Sequence, residues 1–151
     1  MLVVLDSVFN RIIRNRKLGK STWVYIDEIY LLFQHEYSAN FLFTLWKRVR
    51  KYGACCTGLT QNVDDLLQSH TARTMLANSE FLVMLNQAAT DRAELAKLLN
   101  ISDNQLSYIT NVDSGRGLIK CGSAIVPFMN SFPKNRLYQL MTTRPSETMA
   151  A

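Results

Sequence analysis

Thr22-Trp23-Val24-Tyr25-Ile26-Asp27-Glu28 is a β-branched and aromatic run that ends in two adjacent carboxylates. Such residues favour a pleated strand. The lack of clean alternation predicts a strand covered on both faces. A second strand is expected from Ala54 to Thr60, within a stretch that ends Thr57-Gly58-Leu59-Thr60-Gln61. Between them Phe41, Leu42, Leu45, Trp46 and Val49 recur at helical spacing, which predicts a helix over 38–51 with Ser38 as N-cap and Gly53 beyond its end. Upstream, Leu2, Leu5, Phe9, Ile12 and Ile13 predict an amphipathic helix over 2–16, stopped at Gly19. Downstream, residues 62–75 read as one or two short helices and residues 80–85 as a third buried strand. Thr90 caps a helix to about Leu99, and Ser102-Asp103-Asn104-Gln105 is a capping box that opens another. Leu118–Cys121 and Ala124–Phe128 flank Gly122-Ser123 as a hairpin. Pro133 and the tail after Arg144 read as loop. Strands alternating with helices through the first half predict an α/β fold: a mostly parallel sheet with helices on both faces, plus a C-terminal β-hairpin.

The chain has 151 residues, 48% of them hydrophobic and 19% charged, which suits one compact domain and excludes general disorder. No apolar run approaches the ~20 residues of a membrane span. The opening MLVVLDSVFNRIIRNRK is unlike a secretory signal, because its apolar run stops at Asp6 and the basic residues follow it. Three cysteines, Cys55 and Cys56 adjacent, make no disulfide framework and suit a reducing compartment. Cys55 and Cys56 are expected to pack as small apolar side chains in their strand. His35 and His70 lack partners at metal-ligand spacing. A net charge of +5 permits contact with nucleic acid or an anionic membrane but establishes neither.

In parallel sheets ligands gather beyond the carboxyl ends of the strands. That directs attention to Asp27-Glu28, Thr60-Gln61 and Asn86-Gln87. An apolar strand ending in Asp-Glu is the Walker B arrangement of P-loop ATPases. There the Asp helps hold Mg²⁺ on the phosphates and the Glu orients or deprotonates the attacking water. The competing reading is that Asp27 caps a turn. A Thr-Gln pair at the next strand end offers an amide to a γ-phosphate or a water without adding charge. The competing reading there is a polar strand-to-helix turn. Gly19-Lys20-Ser21-Thr22 ends like G-x-x-x-x-G-K-[ST], but Arg14 stands where the first glycine belongs. The stretch also ends a helix and opens a strand, the reverse of a P-loop. No phosphate cradle is therefore expected in these 151 residues.

Lys47, Arg48, Arg50 and Lys51 either supply an arginine finger to a neighbouring subunit or form a solvated helix end. Arg116, between Gly115 and Gly117, is a second finger candidate. Residues 91–110 have helix-turn-helix form, with Asn104, Gln105 and Ser107 placed to read bases. No Lys or Arg falls between Lys97 and Arg116, so the phosphate attraction that dominates DNA affinity is missing there. A helical hairpin packed on the sheet fits that composition better.

Together, WVYIDEIYLLF, LFTLWKRVRKYGACCTGLTQNVDDLL and ARTMLANSEFLVMLNQAATDRAELAKLLNIS resemble the C-terminal part of the VirB-type traffic ATPase of conjugative type IV secretion systems. That family belongs to the HerA/FtsK superfamily of P-loop motors. The resemblance runs from about Leu5 to Pro145. It implies a partial RecA-like P-loop NTPase fold over 1–145, with the helical hairpin at about 90–110 and a tail at 146–151. It implies a parent that hydrolyses ATP with Mg²⁺ to energise conjugative DNA transfer. Asp27 is then the metal ligand, Glu28 and Gln61 the catalytic pair, and Thr60 a phosphate contact. Arg48, Arg50 and Lys51 fall where the family places an intersubunit cation, and Arg116 falls in a late glycine motif near the nucleotide. The family works as a hexamer held peripherally at the cytoplasmic face of the bacterial membrane. Its partners are other type IV secretion components, with a DNA substrate or a coupling protein beyond them. The Walker A strand and its lysine are absent from these residues. The chain alone is therefore expected to be inactive, with a gap or a re-paired sheet between the Thr60 strand and the Phe81 strand. Two other functions stay open: a DNA-binding module on the 91–110 hairpin, and a non-catalytic interaction domain that keeps the fold.

Overall fold

The computed structural model describes residues 2–61 and 63–142. They form two compact units. The first holds the chain up to Ser79 together with Ala93–Asn100, and the second holds Glu80–Arg92 and the residues from Ile101 onward.

In the first unit, α1 (Leu2–Lys17) leads to β1 (Thr22–Ile26) and a 3-10 turn, Ile29–Phe33. Next come α2 (Glu36–Arg48), a second 3-10 turn (Val49–Tyr52) and β2 (Ala54–Gly58). Two short helices, α3 (Val63–Gln68) and α4 (His70–Ala77), follow. β1 and β2 are parallel, in register from Thr22 opposite Ala54 to Ile26 opposite Gly58. The α/β class and the parallel pairing are as the sequence predicts. Ile12 of α1, Leu42 and Leu45 of α2, Leu66 of α3 and Met75 of α4 form one core, and Val24, Ile26 and Cys56 pack on it from the strands.

Coverage on both faces is corrected. Trp23 and Tyr25 are 65% and 67% exposed, and Cys55 is exposed as well. Alternate strand residues point to opposite faces, and the helices of this unit cover only one. Cys56 does pack inward. Burial pushes its thiol up to about 11, with Cys55 adding to the rise, so it carries no thiolate nucleophile at neutral pH.

Ser38 is the second correction. The helix begins at Glu36 after His35, and Ser38 lies inside it, 2% exposed. Its hydroxyl sits 2.6 Å from the Leu32 carbonyl oxygen and 3.0 Å from that of His35. It therefore ties the 3-10 turn after β1 to the first turn of α2. The His35 oxygen also accepts the Ala39 N–H, so Leu32 is the acceptor left without a partner when the hydroxyl goes. Ser38→Ala is expected to lower stability by about 1–3 kcal/mol. An unchanged urea midpoint would show that the bond to Leu32 contributes nothing net.

In the second unit, β3 (Phe81–Met84), β4 (Arg116–Cys121) and β5 (Ala124–Met129) form an antiparallel sheet in that order. The β4–β5 hairpin turns at Gly122-Ser123 as the sequence predicts, with Gly122 at φ 57. β3 does not join the parallel pair, so the parallel part is two strands rather than a mostly parallel sheet. Of the two expected outcomes, gap or re-pairing, the structure shows the first: β2 and β3 share no ladder and belong to separate sheets. β3 is also half-buried rather than buried: Met84 points inward at 5% exposure, while Phe81 and Val83 are 66% and 62% exposed. The core of this unit centres on Ile109 and Leu118, both fully buried.

α5 (Ala89–Leu99) starts one residue before Thr90, which is therefore not its cap. α6 (Asp103–Leu106) opens on the expected capping box, in which the Gln105 N–H donates to Ser102 Oγ and the Ser102 N–H donates to Gln105 Oε1. A 3-10 turn follows at Ser107–Ile109. α7 (Arg136–Met141), not foreseen from sequence, is capped by Asn135, whose Oδ1 accepts the Tyr138 N–H at 3.0 Å. The expected tail lies outside the described residues. Among those described, no helix is long and apolar enough to cross a membrane.

Candidate functional site

Parallel pairing places the residues after β1 and β2 side by side. The Leu59 N–H donates to the Ile26 carbonyl at 2.8 Å, and the Ile29 N–H donates to the Leu59 carbonyl at 2.9 Å. The ladder thus continues past both strand ends while Asp27 and Glu28 bow out of it, pinned on either side. Gly58 makes the closure possible. A Cβ there would lie 2.5 Å from Cδ1 of Ile29, a side chain only 5% exposed.

Glu28 sits at φ 47, ψ 48, in the left-handed region. For a residue with a Cβ this costs roughly 1–2 kcal/mol. Asp27 Oδ1 accepts the Glu28 N–H at 3.0 Å, so Asp27 does stabilise the turn, while the residue remains exposed. Glu28 Oε2 is buried and has no hydrogen-bond partner among the described residues. A buried carboxylate oxygen left unpaired is costly, so it marks a place where a water, an ion or a ligand belongs. Strained backbone held next to an unsatisfied acid is a recurrent mark of functional sites. Nothing in the sequence signals that backbone, since neither Gly nor Asn stands at position 28.

The structure brings Asp27, Glu28, Thr60 and Gln61 to two hydrogen-bonded strand ends. Thr60 is half-buried and Gln61 exposed. It does not bring Arg48, Arg50 or Lys51 there. Arg48 ends α2, and Arg50 and Lys51 lie in the 3-10 turn that leads into β2. The five residues of β2, about 16 Å, separate that turn from Thr60. All three side chains are exposed. Arg116, in the second unit, is half exposed and pairs with Asp113 at 3.5 Å. Its flanking glycines have a steric cause. A Cβ at Gly115 would strike the Asn130 carbonyl oxygen, and one at Gly117 the Met84 carbonyl oxygen.

Asn86 and Gln87 serve the loop that follows Ile109. Asn86 Oδ1 accepts the Val112 N–H at 3.4 Å, and the Gln87 N–H donates to the Ile109 carbonyl at 3.0 Å. Gln105 is not free to read a base. It is held in the capping box and donates to the Ile125 carbonyl at 3.2 Å, on a helix of four residues.

Among the described residues no three His, Cys, Asp or Glu side chains gather to hold a metal. A divalent ion at Asp27 would draw its other ligands from water and from a ligand's own oxygens, as Mg²⁺ commonly does. A cleft of about 370 Å³ in the first unit, lined by Tyr30, Phe33, Gln34, Asp65, Gln68 and Ser69, contains none of the four strand-end residues. The backbone strain and the orphan oxygen, rather than concavity, mark the strand ends.

Residues 1–119 match the family model described as the TraG P-loop domain. Among sixteen solved chains that match is the structure of VirB4 of Thermoanaerobacter pseudethanolicus. It is 26% identical over 86% of this chain, with a TM-score of 0.77. The match spans 36% of that VirB4 chain. No curated protein matches.

Proposed function

The chain belongs to the TraG P-loop domain family, and from that membership we propose that it carries the Walker B and strand-end glutamine motifs of an ATPase motor for conjugative DNA transfer and type IV secretion. The observation that carries the reading is Glu28 Oε2, buried and unpaired in a left-handed turn at the carboxyl end of a parallel strand.

Asp27 fits a hard divalent cation: an exposed carboxylate, positioned by its bond to the Glu28 N–H. Mg²⁺ there supplies positive charge against the phosphate oxygens of ATP. Glu28 orients the attacking water and takes its proton, and its turn aims the carboxylate before any nucleotide arrives. The Gln61 amide donates to a γ-phosphate oxygen or to that water, and the Thr60 hydroxyl contacts phosphate. Arg48, Arg50 and Lys51, remote from their own strand ends, would serve a neighbouring subunit's nucleotide, with Arg116 as a further cation. That assignment goes with a closed ring, for which we propose a hexamer. The ring would sit peripherally at the cytoplasmic face of the membrane beside other type IV secretion components, with DNA or a coupling protein as its further partner. These 151 residues contain no glycine-rich phosphate loop, so tight ATP binding needs residues outside them.

The test is ATP hydrolysis by a protein that joins this chain to a P-loop segment. Asp27→Ala is expected to abolish the Mg²⁺-dependent rate. An undiminished rate would remove Asp27 from the metal and this reading with it.

A further inference from the structure

The cleft of about 370 Å³ in the first unit has no part in the strand-end site. Two stretches meet there. The 3-10 turn after β1 supplies Tyr30, Phe33 and the following Gln34, and the α3–α4 junction supplies Asp65, Gln68 and Ser69. Its volume is near the lower end of ligand pockets, roughly 300–1,000 Å³, and suits one long side chain.

Both walls are anchored. Ile29 and Leu32 hold the turn in the core, and the Ser38 hydroxyl ties it to α2 through the Leu32 carbonyl. Val63, Leu66 and Leu67 are the buried residues of α3. Ser69 caps α4: its Oγ accepts the Ala72 N–H at 3.3 Å, and its own N–H donates to the Leu66 carbonyl at 3.2 Å. The two amides between these anchors are idle. Neither Gln34 nor Gln68 hydrogen-bonds through its side chain to another described residue. An amide carries a carbonyl acceptor and two N–H donors, so the cleft offers both kinds of polar contact beside two aromatic rings.

The charge around the cleft is one-sided. No Lys or Arg occurs from Ser21 to Trp46 or from Tyr52 to Ala72, the stretches that build its walls. They hold Asp27, Glu28, Glu36, Asp64 and Asp65, five of the 12 acids in a chain whose net charge is +5. Of these acids Asp65 lines the cleft. The next cation along the chain, Arg73, is engaged by Glu94 at 3.2 Å and by the Leu67 carbonyl.

A carboxylate and amide oxygens beside aromatic rings select a flat cation. A guanidinium stacks on ring faces and presents five N–H donors in a fixed fork, where an ammonium is a compact point charge. The amide N–H groups call for acceptors, which a peptide backbone carries next to its side chain and a simple polyamine lacks. We propose that this cleft docks an arginine side chain of a partner polypeptide. The guanidinium meets Asp65 beside the Tyr30 and Phe33 rings, and the flanking backbone meets Gln34 and Gln68. None of these residues enters the strand-end chemistry, so the proposal stands or falls apart from the ATPase reading.

The test is an NMR titration of the isotope-labelled 151-residue chain with a glycine-serine peptide that carries a central Leu-Arg-Leu. The side-chain amide signals of Gln34 and Gln68 are expected to shift together and to saturate. The same peptide with citrulline, an uncharged isostere, in place of arginine is expected to bind at least about tenfold more weakly, because the charge-assisted hydrogen bond is gone. Asp65→Asn is expected to weaken the arginine peptide by a similar factor. Asp103→Asn removes a charge from the same first-turn position of α6, in the second unit, and is expected to leave the affinity unchanged. The citrulline comparison uses the wild-type chain, so it decides even if Asp65→Asn weakens the fold. The proposal is overturned if no saturable shift appears, if the citrulline peptide binds as tightly, or if Asp103→Asn loses as much as Asp65→Asn. It is equally overturned if spermidine matches the peptide, or if the chain alone sediments as an oligomer that Asp65→Asn disperses, which would make a second copy the occupant.

Discussion

Glu28→Gln, made in a protein that joins this chain to its phosphate-binding loop, is expected to slow ATP hydrolysis by about 10²–10⁴-fold while nucleotide affinity holds. The substitution keeps the shape and removes the base. Glu28 bonds neither Asp27 nor Gln61 through its side chain among the described residues, and its Oε2 is already unpaired. An amide there disturbs no existing bond, so the fold should survive, and a rate loss reports chemistry. Asp27 still holds its place through the Glu28 N–H, a backbone group the substitution leaves untouched. Nucleotide binding is therefore expected to persist. A parallel loss of affinity and rate would instead assign Glu28 to binding.

The second large effect is on stability. Leu42 is fully buried at the centre of α2, the crossover that joins β1 to β2. Its side chain belongs to the core that also holds Ile12, Ile29, Leu66 and Met75. Leu42→Ala removes its methyl groups from a packed interior and leaves a cavity, a loss of about 2–5 kcal/mol. Domains of this size are stable by only about 5–15 kcal/mol, so the variant is expected to be partly unfolded at physiological temperature. Because Ile29 shares that core, the Glu28 turn is expected to loosen with it. A thermal midpoint within a degree of wild type would mean that α2 does not support the two strands as described.

Much of the site was legible because its cues are local. A strand followed by Asp-Glu, a strand followed by Thr-Gln and a helix between them place four residues at adjacent strand ends once parallel pairing is granted. What escaped depends on partners distant in sequence. Phe81-Leu82-Val83-Met84 reads alike as a central parallel strand or as the edge of an antiparallel sheet, and only β4 decides. Thr22–Ile26 supplies apolar side chains to both faces, but the helices of its unit reach one, so Trp23 and Tyr25 stay exposed. Ser38 satisfies backbone equally well as a cap or from inside a helix, and the carbonyl it meets, Leu32, lies outside the helical pattern. The left-handed backbone at Glu28 has no residue-type signal at all. The glycines around Arg116 carry a signal that misleads: they admit a neighbouring strand rather than a ligand.

The most direct measurement is a crystal structure of the P-loop-completed protein, carrying Glu28→Gln, with Mg²⁺ and ATP. One triphosphate should lie across both strand ends. The Asp27 carboxylate should reach the ion, the side chain at position 28 should stand one water from the γ-phosphate, and Gln61 should donate to it at about 3 Å. A nucleotide bound elsewhere, or Asp27 and Gln61 turned to different faces of the sheet with no phosphate between them, would contradict the assignment of this chain to the hydrolytic centre.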